Sequence, residues 1–253
     1  MIEIVGLNKR FGNFHAVRDV TLQVLPGEVF GFLGPNGAGK TTTIRMMAGL
    51  MKPTSGHILL CGKDVTREPE DAKSLLGFIP DRPYLYEKLT GREFLEFIAD
   101  LHGVDSGDHR AERIAELFKL FDLEGWSHEL VESYSHGMRQ RLTIAAALIH
   151  RPKVLIVDEP MVGLDPKGAR LVKSLFFELA KAGVSVFMST HILEVAEEMC
   201  HRIGIINEGR VIALGTIGEI REKARSTDER LEPLFLKLTG EEPNPMMVEH
   251  LHP

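Results

Sequence analysis

The stretch GPNGAGKTT, residues 34–42, follows the apolar run VFGFL and leads into TTIRMMAGL, which has helical period. It fits G-x-x-x-x-G-K-[ST] in the strand-then-helix setting that this pattern requires. Its members are Gly34, Pro35, Asn36, Gly37, Ala38, Gly39, Lys40, Thr41 and Thr42. Glycines let the backbone curl so that several N–H groups point inward at phosphate oxygens, and the start of the next helix adds a favourable dipole. In such a loop Lys40 reaches the β and γ phosphates of a nucleotide, and the Thr41 hydroxyl ligates Mg²⁺. The alternative is a glycine-rich turn that matches by chance. In a chain of 253 residues that coincidence has a frequency on the order of 0.01 before the flanking elements are required.

Outward from this loop, apolar β-branched runs alternate with longer segments of helical period, the pattern of a sheet covered by helices. Ile2 to Leu7, Val20 to Val24 and Glu28 to Leu33 come close together, with a turn at Pro26 and Gly27, and predict antiparallel strands. From Gly91 to about Ile149 no strand pattern occurs; FLEFIADLHG, ERIAELFKLFDL and RQRLTIAAALI carry apolar residues at three and four spacing. Val154 to Val157 and Val184 to Met188 are wholly apolar, suited to parallel strands buried on both faces. Ile203 to Asn207 and Arg210 to Leu214, joined by Glu208 and Gly209, predict a hairpin. The expected fold is α/β: a P-loop NTPase core on a mixed sheet, an N-terminal antiparallel β subdomain and an inserted helical subdomain. The expected core is residues 1–88 and 153–225, the helical lobe about 89–152, and residues 226–253 a short extension that ends disordered.

Hydrophobic residues make up 43% and charged residues 26% of the chain, and the net charge of -6 argues against nucleic acid as the main partner. The longest apolar runs are strand-length, and the N-terminus lacks the features of a signal peptide, so a cytoplasmic location is expected. Cys61 and Cys200 sit in apolar surroundings without partners at metal-ligand spacing and are read as reduced core residues. His250 and His252 receive no metal role, because a flexible tail offers no fixed geometry.

In KVLIVDEP an apolar strand runs into Asp158 and Glu159, so both carboxylates emerge at its carboxyl end, where the ligands of parallel sheets collect. Asp158 can hold Mg²⁺, and Glu159 can take a proton from an attacking water. A strand ending in a solvated acidic turn is the other reading. Immediately upstream, YSHGMRQRLTIAAALIHRP offers Ser135 as an N-cap and Gly137 for close backbone approach, a second helix N-terminus able to meet an anion. Taken alone, a serine such as Ser135 is more often just a structural cap.

The order of these motifs resembles the ATP-binding subunit of ABC transporters over nearly the whole chain. The resemblance implies that ATP and Mg²⁺ bind the loop of one copy while the LSGGQ signature of a second copy closes over the nucleotide. Tyr134, Ser135, His136, Gly137 and Met138 occupy the signature, departing from it at Tyr134, His136 and Met138. This variant, and LEPLFLKLTGEE from Leu231, are similar to the branch that exports drugs, lipids or polysaccharides. The resemblance further implies Phe11 stacked on adenine with Val17 beside it, Asp165 of GLDP as a polar contact across the dimer, and His191 as the switch histidine at the γ-phosphate. Catalysis would rest on Glu159, His191 and Lys40. Partners would be a second nucleotide-binding subunit, identical or related, and a separate membrane protein that holds this chain at the cytoplasmic face. A soluble ATPase of the same family working on ribosomes or nucleic acid, or a non-transport ATP-dependent regulator, is the competing reading; the soluble proteins usually carry two of these domains.

GFIPDRPYLY, starting at Gly77, has Asp81 where the family usually has glutamine, in the loop that joins the sheet core to the helical lobe and touches both Mg²⁺ and the membrane partner. An acid there would put three carboxylates, Asp81, Asp158 and Glu159, around one cation and raise the pKa of at least one. Alternatively Asp81 faces solvent or pairs with a partner's lysine.

Overall fold

The chain opens with β1 (Ile2–Phe11) and β2 (Phe14–Val24), an antiparallel hairpin in which Ile2 pairs with Val24 and Phe11 with Phe14. β3 (Val29–Leu33) runs into the glycine-rich loop, from which α1 (Lys40–Met47) emerges. There follow β4 (Ser55–Leu60), β5 (Lys63–Asp64), α2 (Pro69–Ser74) and β6 (Leu76–Ile79). Next come α3 (Gly91–Leu101), α4 (Asp108–Leu120) and α5 (His136–Leu148), then β7 (Val154–Asp158), α6 (Pro166–Lys181) and β8 (Ser185–Thr190). The chain finishes with α7 (Leu193–Met199), β9 (Arg202–Asn207), β10 (Arg210–Gly215), α8 (Ile217–Lys223) and α9 (Leu231–Thr239). This computed structural model describes residues 1–82, 84–161, 163–224 and 230–240. The expected disordered ending, and the reading of His250 and His252, concern positions outside the described residues.

Two sheets result: a four-stranded antiparallel one ordered β2-β1-β4-β5 and a six-stranded one ordered β10-β9-β3-β8-β7-β6. The second is parallel from β9 to β6, with β10 antiparallel at its edge. β3 therefore does not join the N-terminal antiparallel strands as expected; it lies between β8 and β9. The reason is in its residues: VFGFL is buried at all five positions, which only a strand covered on both faces permits. The place beside β1 goes to β4, whose Ser-Gly-His beginning hides its strand character.

Alternation across the large sheet divides the core. Leu155, Val157, Val186 and Met188 face one side, with Phe94, Leu117, Phe118, Leu142, Ile144 and Phe176 from the helices. Val154, Ile156, Phe187, Phe30 and Phe32 face the other, with Ile44 of α1 and the apolar face of the antiparallel sheet. Phe187 stacks on Phe30 at 5.6 Å between centroids and tilts against Phe32 at 5.3 Å. A third cluster sets Leu231, Leu234 and Phe235 of α9 on Ala196, Ile203 and Ile205, so this part of the extension is packed. Cys200 lies mostly inside, and burial pushes its thiol up to about 12. Cys61 does not: it is exposed in the turn after β4, because the apolar run of that strand ends at Leu60.

Between β6 and β7 the described residues form helices and 3₁₀ turns, with one isolated bridge from Thr90 to Leu130. α3 starts at a capping box: Thr90 accepts from the Glu93 N–H, and the Glu93 carboxylate accepts from that of Thr90. At its other end His102 stacks on His150, centroids 3.7 Å apart and planes 3° from parallel. His150 Nε2 lies 3.1 Å from the Leu76 carbonyl, and burial, with His102 alongside, lowers its pKa to about 4 from the ordinary 6.5. A histidine held neutral in the fold stabilises it above the unfolded-state pKa and loses that contribution as pH falls toward the folded one. The urea midpoint should therefore drop as the pH is lowered from 6.5 towards 4. In His150→Gln the part of that drop due to His150 should be missing; an unchanged pH profile would discount the pair as the cause.

Candidate nucleotide site

The loop from 34 to 39 is pressed between the two sheets. A Cβ on Gly34 would overlap the Ile206 carbonyl of β9, and one on Gly39 would come 2.7 Å from the Ala16 carbonyl of β2. Gly39 also has φ 110, in the region that only glycine adopts freely, and it begins α1 without any side-chain cap. The first N–H groups of α1 are thus without a side-chain cap. Lys40 is 8% exposed, and its Nζ donates to the Gly34 carbonyl at 2.5 Å and the Pro35 carbonyl at 3.1 Å. Burial lowers its pKa, opposed by the charges of Glu159 and Asp158.

Asp158 closes β7 and is 5% exposed. Burial raises its pKa; the Ser189 hydroxyl, which donates to its carboxylate, opposes that rise, and the charges of Asp81 and Glu159 add to it. Glu159 turns away from the strand with φ 52, its N–H donating to the Ser189 carbonyl at 3.2 Å. That turn brings its carboxylate to His191, 2.9 Å from Nδ1. The Glu159 side chain is 14% exposed and that of His191 58%, so the pair sits at the rim with the acid inward. Parallel pairing of β6 with β7 sets Ile79 beside Val157, and two residues later Asp81 stands exposed near Asp158.

These groups surround one cavity of about 540 Å³, lined by Phe14, Ala16, Asn36, Gly37, Gly39, Lys40, Thr41, Thr42, Asp81, Asp158, Glu159 and His191. Residues dispersed from 14 to 191 meet there because β3, β7 and β8 are adjacent and end on the same side. Phe11 and Val17 are not in this wall. Val17 is wholly buried beneath Gly39, and Phe11 lies at the hairpin end with Lys9 Nζ 5.1 Å from its ring centroid. Phe14, 62% exposed, and Ala16 take that position instead. Sequence reasoning missed both, although KRFGNFHAV contains them; the hairpin register decides which aromatic faces the cavity.

Among the described residues no three His, Cys, Asp or Glu side chains gather into a set able to hold a metal ion. The expected cage of three carboxylates is therefore not formed: Glu159 is turned to His191 and Asp81 stands on an exposed turn. Asp158 remains a buried acid in a field of like charges, and Thr41 lines the same cavity.

Ser135, Gly137 and Asp165 lie outside this cavity. Ser135 caps α5, its hydroxyl accepting from the Met138 N–H at 3.3 Å. Tyr134 is buried, and its hydroxyl donates to the Trp126 carbonyl at 2.6 Å. Asp165 caps α6 by accepting from the Gly168 N–H at 2.7 Å.

A nucleotide-sized cavity with these walls defines an ATPase of the P-loop class. The family described as ABC transporter matches residues 17–162. The ABC transporter ATP-binding protein YhcH of Bacillus subtilis (strain 168) is 42% identical over 86% of this chain and 70% of its own. The daunorubicin resistance ATP-binding protein DrrA3 of Streptomyces coeruleorubidus is 40% identical over 91% of this chain and 72% of its own. Among solved structures, an ATP-binding subunit of an ABC transporter superposes with TM-score 0.90 at 34% identity, over 94% of this chain and 99% of the other. A dimeric post-hydrolysis state of the cassette MJ0796 with ADP and Pi superposes with TM-score 0.78 at 26% identity, over 86% and 99%. This chain belongs to the ABC transporter family and is an ATP-binding, ATP-hydrolysing subunit of that family.

The strain at Asp158 has a measurable sign. An acid whose pKa is raised by folding binds its proton more tightly in the folded state, so its ionisation lowers stability as pH rises above the unfolded value. Asp158→Asn should melt higher than the wild type near neutral pH without nucleotide, the gain shrinking below about pH 4. A lower melting temperature for the variant at neutral pH would contradict this account.

Proposed function

We propose that this chain powers export by hydrolysing ATP at the cavity around Lys40 and transmitting the change to a separate membrane protein. The observation that carries this reading is the convergence of loop 34–42, Asp158, Glu159 and His191 on one cavity, while Ser135 and Gly137 stand elsewhere on the surface. Half of a nucleotide's contacts then come from a second chain, whose Ser135 and Gly137 meet the phosphates.

In this reading the backbone N–H groups of the loop and Lys40 hold the β and γ phosphates. His191 positions the γ-phosphate, and Glu159, already inward beside it, accepts the proton of the attacking water. The water oxygen bonds to the γ-phosphorus as the bridging oxygen departs with ADP, and phosphate leaves. The residues fit a hard cation: Thr41 offers a hydroxyl, Asp158 is an acid whose pKa is raised by burial and then by the charges of Asp81 and Glu159, and Asp81 adds a third oxygen donor at the rim. Mg²⁺ held by Thr41, Asp158 and Asp81 would neutralise phosphate charge. Phe14, exposed on the cavity wall, supplies an aromatic face for the adenine, with Ala16 beside it.

The membrane partner would meet the exposed Asp81 and Tyr84 and the half-buried Leu85 beside them, between the sheet core and the helical lobe of residues 89–152. No helix among the described residues is long and apolar enough to cross a membrane, in keeping with a span supplied by another protein at the cytoplasmic face. Export is favoured by the YSHGM form of the signature and by likeness to a resistance protein. The net charge of -6 disfavours a nucleic-acid partner.

Glu159→Gln with ATP should accumulate a dimer on size exclusion, whereas a monomer at every concentration would count against a two-chain site. Asp81→Gln should shift the Mg²⁺ and pH dependence of ATPase activity; curves that superimpose on the wild type would remove Asp81 from the metal's surroundings.

A further inference from the structure

The signature segment carries a bulky residue, His136, where the family pattern has a small one, and the structure gives that ring a contact. His136 is exposed at the first position of α5, and its imidazole lies directly over Gly163: a Cβ added there would overlap Nε2 and Cδ2. Gly163 has φ 78, so its position excludes a side chain on backbone grounds as well. The Gly163 carbonyl is also 3.7 Å from where a Gly137 Cβ would stand, so this one glycine packs on two residues of the first turn of α5. Two residues further on, Asp165 is tied to α6 through the Gly168 N–H. The N-termini of α5 and α6 are thereby joined by a short, stiff path: ring on glycine, then carboxylate on helix. A glycine at 136 would leave Gly163 without that cover.

We propose that His136 is a positioning residue, which by seating its ring on Gly163 locks the Gly163–Asp165 turn to the Ser135–Met138 turn so that both meet the second chain as one rigid surface. It rests on the two-chain site proposed above. The chain that lends Ser135 and Gly137 to its partner's nucleotide lends Asp165 to the partner at the same time, and the histidine fixes the distance between the two. Closing on ATP then requires both contacts to form together, because interdigitated groups move as a unit rather than deform. A ring that only fills surface space would leave the two turns energetically independent.

The test is ATP-dependent dimerisation in the Glu159→Gln background, measured by sedimentation, with binding of a fluorescent ATP analogue to dilute monomer as control. His136→Ala should weaken the dimer at least about tenfold while analogue affinity stays within about twofold, and His136→Phe, which keeps a flat ring, should restore most of the loss. Gly163→Ala should weaken it further, and His136→Ala with Gly163→Ala together should be no weaker than Gly163→Ala alone. A His136→Ala protein that dimerises like its parent, a His136→Phe protein no better than His136→Ala, or losses that multiply in the double variant would each overturn the proposal. If the parent itself never dimerises, the two-chain site falls and this inference with it; a dimerising parent with indifferent His136 variants refutes the inference alone.

Discussion

Backbone pressed on backbone at Gly34 and Gly39 sets the geometry of everything around the cavity. The Ile206 carbonyl of one sheet and the Ala16 carbonyl of the other close on the loop from two sides, leaving no volume for even a methyl group. Overpacking at such a point cannot be absorbed by a rotamer change, since carbonyls belong to hydrogen-bonded strands. The loop is therefore a third element clamped between two sheets, and Lys40, the first residue of α1, is aimed by that clamp. Its ammonium finds the carbonyls of Gly34 and Pro35, which partly compensate a burial that depresses its pKa.

The second constraint is electrostatic. Three carboxylates and one partly desolvated lysine share a small volume, and the acid deepest inside has its pKa raised. Such a site is costly when empty and favourable when a cation and a polyphosphate enter, so binding relieves what folding imposes. Glu159 illustrates how this is arranged locally: a left-handed backbone turn directly after the strand sends its side chain to His191 rather than alongside Asp158. Strain at that residue separates two adjacent acids into two environments.

Much of this was legible from residue order. The loop, the strand ending in Asp158 and Glu159, the cap at Ser135, the parallel strands β7 and β8 and the β9–β10 hairpin each have a local signature that does not depend on distant residues. β4 was not legible, because Ser-Gly-His at its start gives no alternation. Nor was the true neighbourhood of β3: VFGFL announces burial on both faces but does not say which strands flank it.

The amino-acid order by itself determined which chemical groups are present and that a phosphate-binding loop joins a strand to a helix, because glycine spacing and apolar runs act over a few residues. Only the tertiary structure decided that Phe14 rather than Phe11 faces the cavity, that Cys61 is outside, that the three acids do not close into a cage, and that His136 rests on Gly163. Each of these turns on register, or on packing between segments far apart in the chain. Such contacts are set by steric fit among backbones already placed, and no short window of residues contains that information.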